Sequence, residues 1–217
     1  MQMGDVIGDV RRALGRRGAL ESAPMPPAIE EPIVRLVHSD VGLAELLVNQ
    51  ARKSAMGAEL VHAEEVGEKL IAFLRANGCK KIAMPVSRLL DGLQIAEGLR
   101  GAGFEVRLWN ELNADAIYEF DCGVTDVYAA VAETGSVVVR ASAEHGRCLS
   151  LVPAVHVAIV EPRLIVPDLL DLMEKLSGEK ARAGVAIITG PSKTSDIEGN
   201  LVTGVHGPGL VQVFVLK

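Results

Sequence analysis

Apolar positions along this chain follow two spacings, one helical and one extended, and the two change places repeatedly. Near the start, Val6, Val10, Ala13 and Leu14 recur at helical spacing over Met3 to Gly15, with acids early and Arg11 and Arg12 late, which suits the helix dipole. Arg16-Arg17-Gly18 and then Pro24-Met25-Pro26-Pro27 cannot continue that helix. The pattern predicts an N-terminal helical arm and linker over residues 1–32. Its linker, of roughly a dozen residues, is longer than the usual connection.

From Ser39 onward helices and strands alternate. Helical faces fall at Leu43, Leu46, Leu47, Gln50 and Ala51, and at Val66, Leu70, Phe73 and Leu74 before Asn77-Gly78. A further helix carries Leu89, Leu93, Ala96 and Leu99 and is closed by Gly101 and Gly103. Strands are predicted at Lys81 to Pro85, Phe104 to Trp109, Val137 to Val139, Val155 to Val160, Val185 to Ile188 and Leu210 to Leu216. Tyr128 to Ala132 reads as an alanine-rich helical run. The alternation argues one α/β domain over residues 33–217, a mostly parallel open sheet flanked by helices. Strands outnumber helices in the second half, so part of the sheet there is expected to be antiparallel or hairpin-connected.

Composition narrows the function classes. Hydrophobic residues make up 49% of the chain but aromatics only 3%, so the core must be built from Val, Leu, Ile and Ala. A formal net charge of −6 recommends neither nucleic acid nor an anionic membrane as partner. Any bound anion must be held by a local set of donors. Cys79, Cys122 and Cys148 are far apart and include no C-x-x-C, which supports reduced thiols in a cytoplasmic protein over a disulfide framework, zinc site or iron–sulfur cluster. The apolar stretch Leu149 to Met173 is broken by His156, Glu161, Arg163, Asp168, Asp171 and prolines, and reads as sheet core with no membrane span.

Three loops beside predicted strands carry polar groups that no core requires: Ala132 to Ser136, Arg140 to Arg147 with its His145, and Thr189 to Gly209. The last is not a P-loop, because Ser192 precedes Lys193 and Ile187 stands where the first glycine belongs. Nor is it a dinucleotide fingerprint, because Gly204, Gly207 and Gly209 have the wrong spacing and lead into a strand. A more general expectation remains. Gly190-Pro191 turns the chain, and Ser192, Thr194 or Ser195 caps a short helix start within Thr189 to Glu198, its N–H groups facing an anion beside Lys193. The competing reading of Ser195-Asp196-Ile197-Glu198 is a plain capping box with Lys193 solvated. His206, between Val205 and Gly207, lacks metal-ligand spacing, and no metal site is expected. Glu133 is the candidate for nucleophilic or acid–base work, set against a purely structural role at the turn that opens the Val137 strand.

Taken in order, Ala132-Glu133-Thr134-Gly135, Arg147 with Leu149-Ser150-Leu151-Val152-Pro153 and His156, Gly190-Pro191-Ser192-Lys193-Thr194-Ser195-Asp196-Ile197-Glu198, and Gly204-Val205-His206-Gly207-Pro208 resemble the LUD-domain family, the family of lactate-utilisation protein C. The resemblance runs from about Ser39 to the C-terminus. It implies an α/β fold like the sugar-phosphate isomerase and CoA-transferase superfamily. It also implies a role in oxidising L-lactate to pyruvate, as the cluster-free subunit beside cysteine-rich and iron–sulfur lactate-utilisation proteins.

The expected site holds Glu133 as the catalytic group, with Thr134, Gly135, Arg147, Gly190, Ser192, Lys193, Thr194, His206 and Gly207 binding a small carboxylate or a phosphate-bearing ligand. Two other readings stay open. One is a free-standing enzyme of the CoA-transferase or isomerase type using Glu133, by analogy of its Glu-Thr-Gly turn with the Glu-Asn-Gly region of CoA-transferases. The other is a non-catalytic assembly subunit. The cofactor and the choice between monomer and homo-oligomer are left open as well.

Overall fold

The computed structural model describes residues 3–15, 35–37, 42–113, 115–177, 184–197 and 200–217. The chain divides into two units, Met1–Arg35 and Leu36–Lys217. The domain boundary expected at residues 32 and 33, and the linker prolines before it, lie outside the described residues. In the first unit the expected helix is present as α1 (Met3–Ala13). Val6, Val10 and Leu14 are exposed on it, and Arg12 pairs with Asp9 one turn away.

In the second unit α2 (Leu43–Lys53) leads into β1 (Gly57–Val61), and α3 (Val66–Ala76) into β2 (Lys81–Met84). The short helices α4 (Arg88–Gly92) and α5 (Ile95–Gly101) lead into β3 (Glu105–Leu108). The single helix expected over Leu89 to Leu99 is thus two, because Gln94 adopts a left-handed conformation at φ 52° and interrupts the ladder. Beyond them come β4 (Cys122–Asp126), β5 (Ala129–Val131), β6 (Ser136–Arg140), α6 (Cys148–Leu151), β7 (Val155–Val160), β8 (Ile165–Val166) and α7 (Leu169–Ser177). The chain closes with β9 (Val185–Ile188), β10 (Lys193–Ile197), β11 (Asn200–Thr203) and β12 (Leu210–Leu216).

Six of these strands form one sheet in the order β1-β12-β7-β4-β2-β3, and every pairing in it is parallel. β7 and β12 lie inside it, and β7 is buried along its whole length, which is why it reads as a continuous apolar run. Side chains alternate between two cores. Val157, Ile159 and Phe214 join Leu70, Leu74, Leu90 and Leu99 of α3, α4 and α5 on one face. Ala158, Val160, Val211 and Val213 join Leu47 and Ala51 of α2 on the other. A fully buried leucine here, such as Leu70, contributes enough that truncation to alanine costs about 2–5 kcal/mol.

A second sheet, β8-β5-β6-β9, lies on that other face, with Ala130 and Val137 in the shared core. Its opposite side, through Ala129, Val131 and Val138, packs on Leu172 of α7. The β5–β6 and β6–β9 pairings are antiparallel, in keeping with the expected hairpin character of the second half. The Tyr128 to Ala132 run is therefore not helix, and its central residues Ala129 to Val131 are strand. Its alanines are small because the strand is covered on both sides, and packing overrides their helix propensity.

β2 sends the chain outward to the edge strand β3, whereas β4 leads to β7 on its other side. Their outgoing connections diverge, which opens a crevice at the carboxyl ends of β2 and β4. Among the described residues no helix is long and apolar enough to cross a membrane.

Candidate functional site

The crevice at this switch point is a cavity of about 460 Å³, lined in part by Arg88, Asp126, Tyr128, Arg140, Glu144 and His145. Three local devices build it. Ser87, buried just after β2, caps α4 by accepting from the Leu90 amide at 3.4 Å. The same hydroxyl donates to Asp126 Oδ2 at 2.7 Å, which ties the ends of β2 and β4 together. Beyond β6, the Ser142 hydroxyl accepts from the amides of Glu144 and His145, both at 3.1 Å, and folds that loop back. The Val86 amide then bonds the Glu144 carbonyl at 3.0 Å. His145 is thereby delivered to the strand ends, its Nδ1 3.4 Å from Asp126 Oδ1.

Burial pushes the Asp126 carboxyl up, but its interactions with His145 and Ser87 outweigh that penalty and hold its pKa below the ordinary value. It is an ionised acceptor at neutral pH. Two polar atoms of this pair, Asp126 Oδ1 and His145 Nε2, are buried without a hydrogen bond. A buried polar atom left unmet costs about 1–3 kcal/mol, and most buried polar atoms in folded proteins have a partner. The Arg140 guanidinium stacks 4.3 Å from the centroid of the Tyr128 ring, which fixes it at the cleft wall.

Next to Asp126 in sequence, Thr125 meets His156 Nε2 at 2.9 Å in the sealed interior. Burial, and secondarily repulsion from His145, lowers the His156 pKa to about 3, so this imidazole is neutral. His156 Nδ1 is a further buried atom without a partner.

The residues expected from the sequence lie elsewhere. Glu133, Thr134 and Gly135 form the β5–β6 turn. Glu133 is half-buried, and its amide donates to the Pro167 carbonyl at 3.0 Å. Gly135 has φ 71°, and a Cβ there would fall 2.2 Å from the Ala51 amide nitrogen of α2. Thr134 Oγ1 meets Ser136 Oγ at 2.6 Å, and Ser136 Oγ meets Thr189 Oγ1 at 2.7 Å. This hydroxyl chain ends at a second cavity of about 220 Å³, where Gly190, Ser192, His206 and Gly207 come together with Ser150 and Thr189.

That cavity sits where β7 and β12 begin, since the Gly209 amide bonds the Ala154 carbonyl just ahead of the Leu210–Val155 pairing. It is at the amino edge of the main sheet, opposite the first. Ser192 is closely held in it. Its amide donates to Pro208, its carbonyl accepts from Gly204 (both at 2.8 Å), and its hydroxyl donates to the His206 carbonyl at 2.7 Å. The Ser192 amide is thus engaged within the chain and not open toward a cleft.

The short helix start expected within Thr189 to Glu198 is instead the strand β10, paired with β11 in a hairpin with an irregular register after Thr194. Glu198 lies outside the described residues. Lys193 opens that strand and is exposed, and Thr194 is half-buried. Arg147 is exposed, with its side chain alongside Gly184. Glu133, Arg147, Lys193 and Thr194 line neither cavity. Of the Arg140 to Arg147 loop, Arg140 and His145 do converge on the carboxyl-edge cleft. Ser87 and Asp126 were not singled out from the sequence. The available signal was an acid closing the apolar run Cys122-Gly123-Val124-Thr125, as a ligand-facing strand end often does.

Among the described residues no group of three or more His, Cys, Asp or Glu side chains is gathered to hold a metal ion. Cys79 and Cys122 are buried and Cys148 is half-buried.

The chain is 25% identical over 213 residues to lactate utilization protein C of Halalkalibacterium halodurans, covering 93% of this chain and 92% of that protein. It is 29% identical to the uncharacterized protein YkgG of Escherichia coli, over 94% of each. A crystal structure of a DUF162 family protein from Deinococcus radiodurans matches it with a TM-score of 0.63 at 20% identity, over 83% of this chain and 99% of that one; at that identity the likeness concerns the fold. The LUD domain family model matches residues 44–216, the greater part of the sequence. The chain belongs to the LUD domain family.

Proposed function

We propose that this chain is a component of an L-lactate utilisation system and binds a small carboxylate, of the lactate and pyruvate class, in the carboxyl-edge cleft. The lactate role is supported by similarity to proteins named lactate utilization protein C. The binding role rests on one observation: a cavity of about 460 Å³ at the switch point of the sheet, lined by Arg88 and Arg140 together with Asp91, Asp126, Glu144 and His145. Its size is within the ordinary range for small-molecule sites, and a guanidinium fork is the side chain best shaped for a carboxylate.

Electrons from lactate would leave through cysteine-rich and iron–sulfur partners, as the family resemblance implies. The test is genetic complementation. A strain lacking this chain should fail to grow on L-lactate and recover with the wild-type sequence. The Arg88→Gln/Arg140→Gln double variant, expressed to the same level, should not restore growth. Full restoration by that variant would remove the cleft from the account.

A further inference from the structure

We propose that Asp126 is the residue by which the carboxyl-edge cleft tells a 2-hydroxy acid from a 2-oxo acid, a reading that rests on the small-carboxylate site proposed above. A pocket meant only for an anion would be lined by cations. This one sets Asp126, with Asp91 and Glu144, beside Arg88 and Arg140, which suits an occupant that offers a hydrogen-bond donor as well as a carboxylate; Glu144 already accepts from the Ser142 hydroxyl. An ionised carboxylate accepts hydrogen bonds and cannot donate them. The hydroxyl at carbon 2 of L-lactate donates to it; the keto oxygen of pyruvate cannot, and is repelled. Propionate has no oxygen at that carbon.

Asp126 is arranged for this task. Its side chain is 27% exposed while Oδ1 is buried, so a ligand hydroxyl would be met at Oδ2. Ser87 donates to Oδ2 at 2.7 Å and His145 Nδ1 lies 3.4 Å from Oδ1, so both neighbours favour the anion over the neutral acid. A carboxylate has about four lone-pair directions, so acceptor capacity remains for a ligand hydroxyl. Ser87 and His145 are positioning residues, fixed in turn by the α4 cap and by the Ser142 turn. They act on the ligand through Asp126. No redox step is assigned to these side chains.

Calorimetric titration of the full-length protein with sodium L-lactate, sodium pyruvate and sodium propionate tests the inference. L-Lactate is expected to bind about tenfold or more tightly than either of the others, the usual worth of one hydrogen bond to a charged group. Asp126→Asn keeps the shape but can donate, and should narrow or reverse the preference for lactate over pyruvate. Ser87→Ala and His145→Gln should lower that preference while carboxylate binding persists.

Equal affinity for lactate and pyruvate in the wild-type protein would overturn the proposal, as would an unchanged ratio in Asp126→Asn. The wild-type ratio decides the matter even if Asp126→Asn does not fold. Failure to bind all three acids would sink the carboxylate site itself. Binding of all three without discrimination would sink only the role of Asp126.

Discussion

Replacing His156 with glutamine should remove a defined part of the acid sensitivity of this protein. His156 is wholly buried, and its pKa is lowered from the ordinary 6.5 to about 3, chiefly by desolvation. In the unfolded chain the same ring regains its ordinary value. Between these two values the unfolded state binds a proton that the folded state refuses, so stability falls as pH falls below about 6.5. Below the folded value both states are protonated and the loss stops growing.

Relative to pH 7.5, the linkage relation gives a loss of about 1.4 kcal/mol at pH 5.5 and about 2.7 kcal/mol at pH 4.5. The loss at pH 5.5 is governed by the unfolded-state value, and is the same for any folded value well below 5.5. Urea unfolding of wild type and His156→Gln at pH 7.5 and 5.5 measures it. Glutamine can still bond Thr125 and does not titrate in this range. The wild-type stability should drop relative to the variant by about 1.4 kcal/mol between the two pH values. A difference that stays constant would show that His156 is protonated in the fold, or is not sealed from water.

Other substitutions address the remaining elements. Gly135→Ala forces a side chain into a left-handed turn and against the Ala51 amide of α2; it should cost about 2–4 kcal/mol and lower the melting temperature clearly, and an unchanged melting temperature would refute the close packing. Ser192→Ala deletes the bond to the His206 carbonyl and should cost about 1 kcal/mol in urea; if lactate affinity falls while stability holds, Ser192 belongs to a ligand site instead. Glu133→Gln alters a side chain that lines neither cavity, and should leave L-lactate affinity within about twofold, or about 0.4 kcal/mol. Lost lactate-dependent growth at normal protein level in Glu133→Gln would favour the nucleophile reading of that residue.

The fold was legible where burial alone decides an element. The run Val155-His156-Val157-Ala158-Ile159-Val160 is apolar because β7 lies inside the parallel sheet, and the α2 and α3 faces carry the leucines that reach the two cores. Short elements with mixed composition were not legible. Ala129-Ala130-Val131 has helix-forming residues and is held as strand by a layer on each side. Lys193 to Ile197 carries a capping-box string and yet pairs with Asn200 to Thr203. His145 stood out as a histidine between two arginines in a loop. Asp126 and Ser87 did not, because each is ordinary in its own stretch, and only the β4–β2 neighbourhood unites them. Sequence spacing cannot report a contact between strand ends 39 residues apart.

The central claim is that the working cleft is at the carboxyl ends of β2 and β4, and a crystal structure of the full chain grown with L-lactate tests it most directly. Electron density for lactate should lie against Asp126, with its carboxylate within hydrogen-bond reach of Arg88 or Arg140. Lactate seated instead at Gly190, Ser192 and His206, with the Asp126 cleft holding only solvent, would contradict the account.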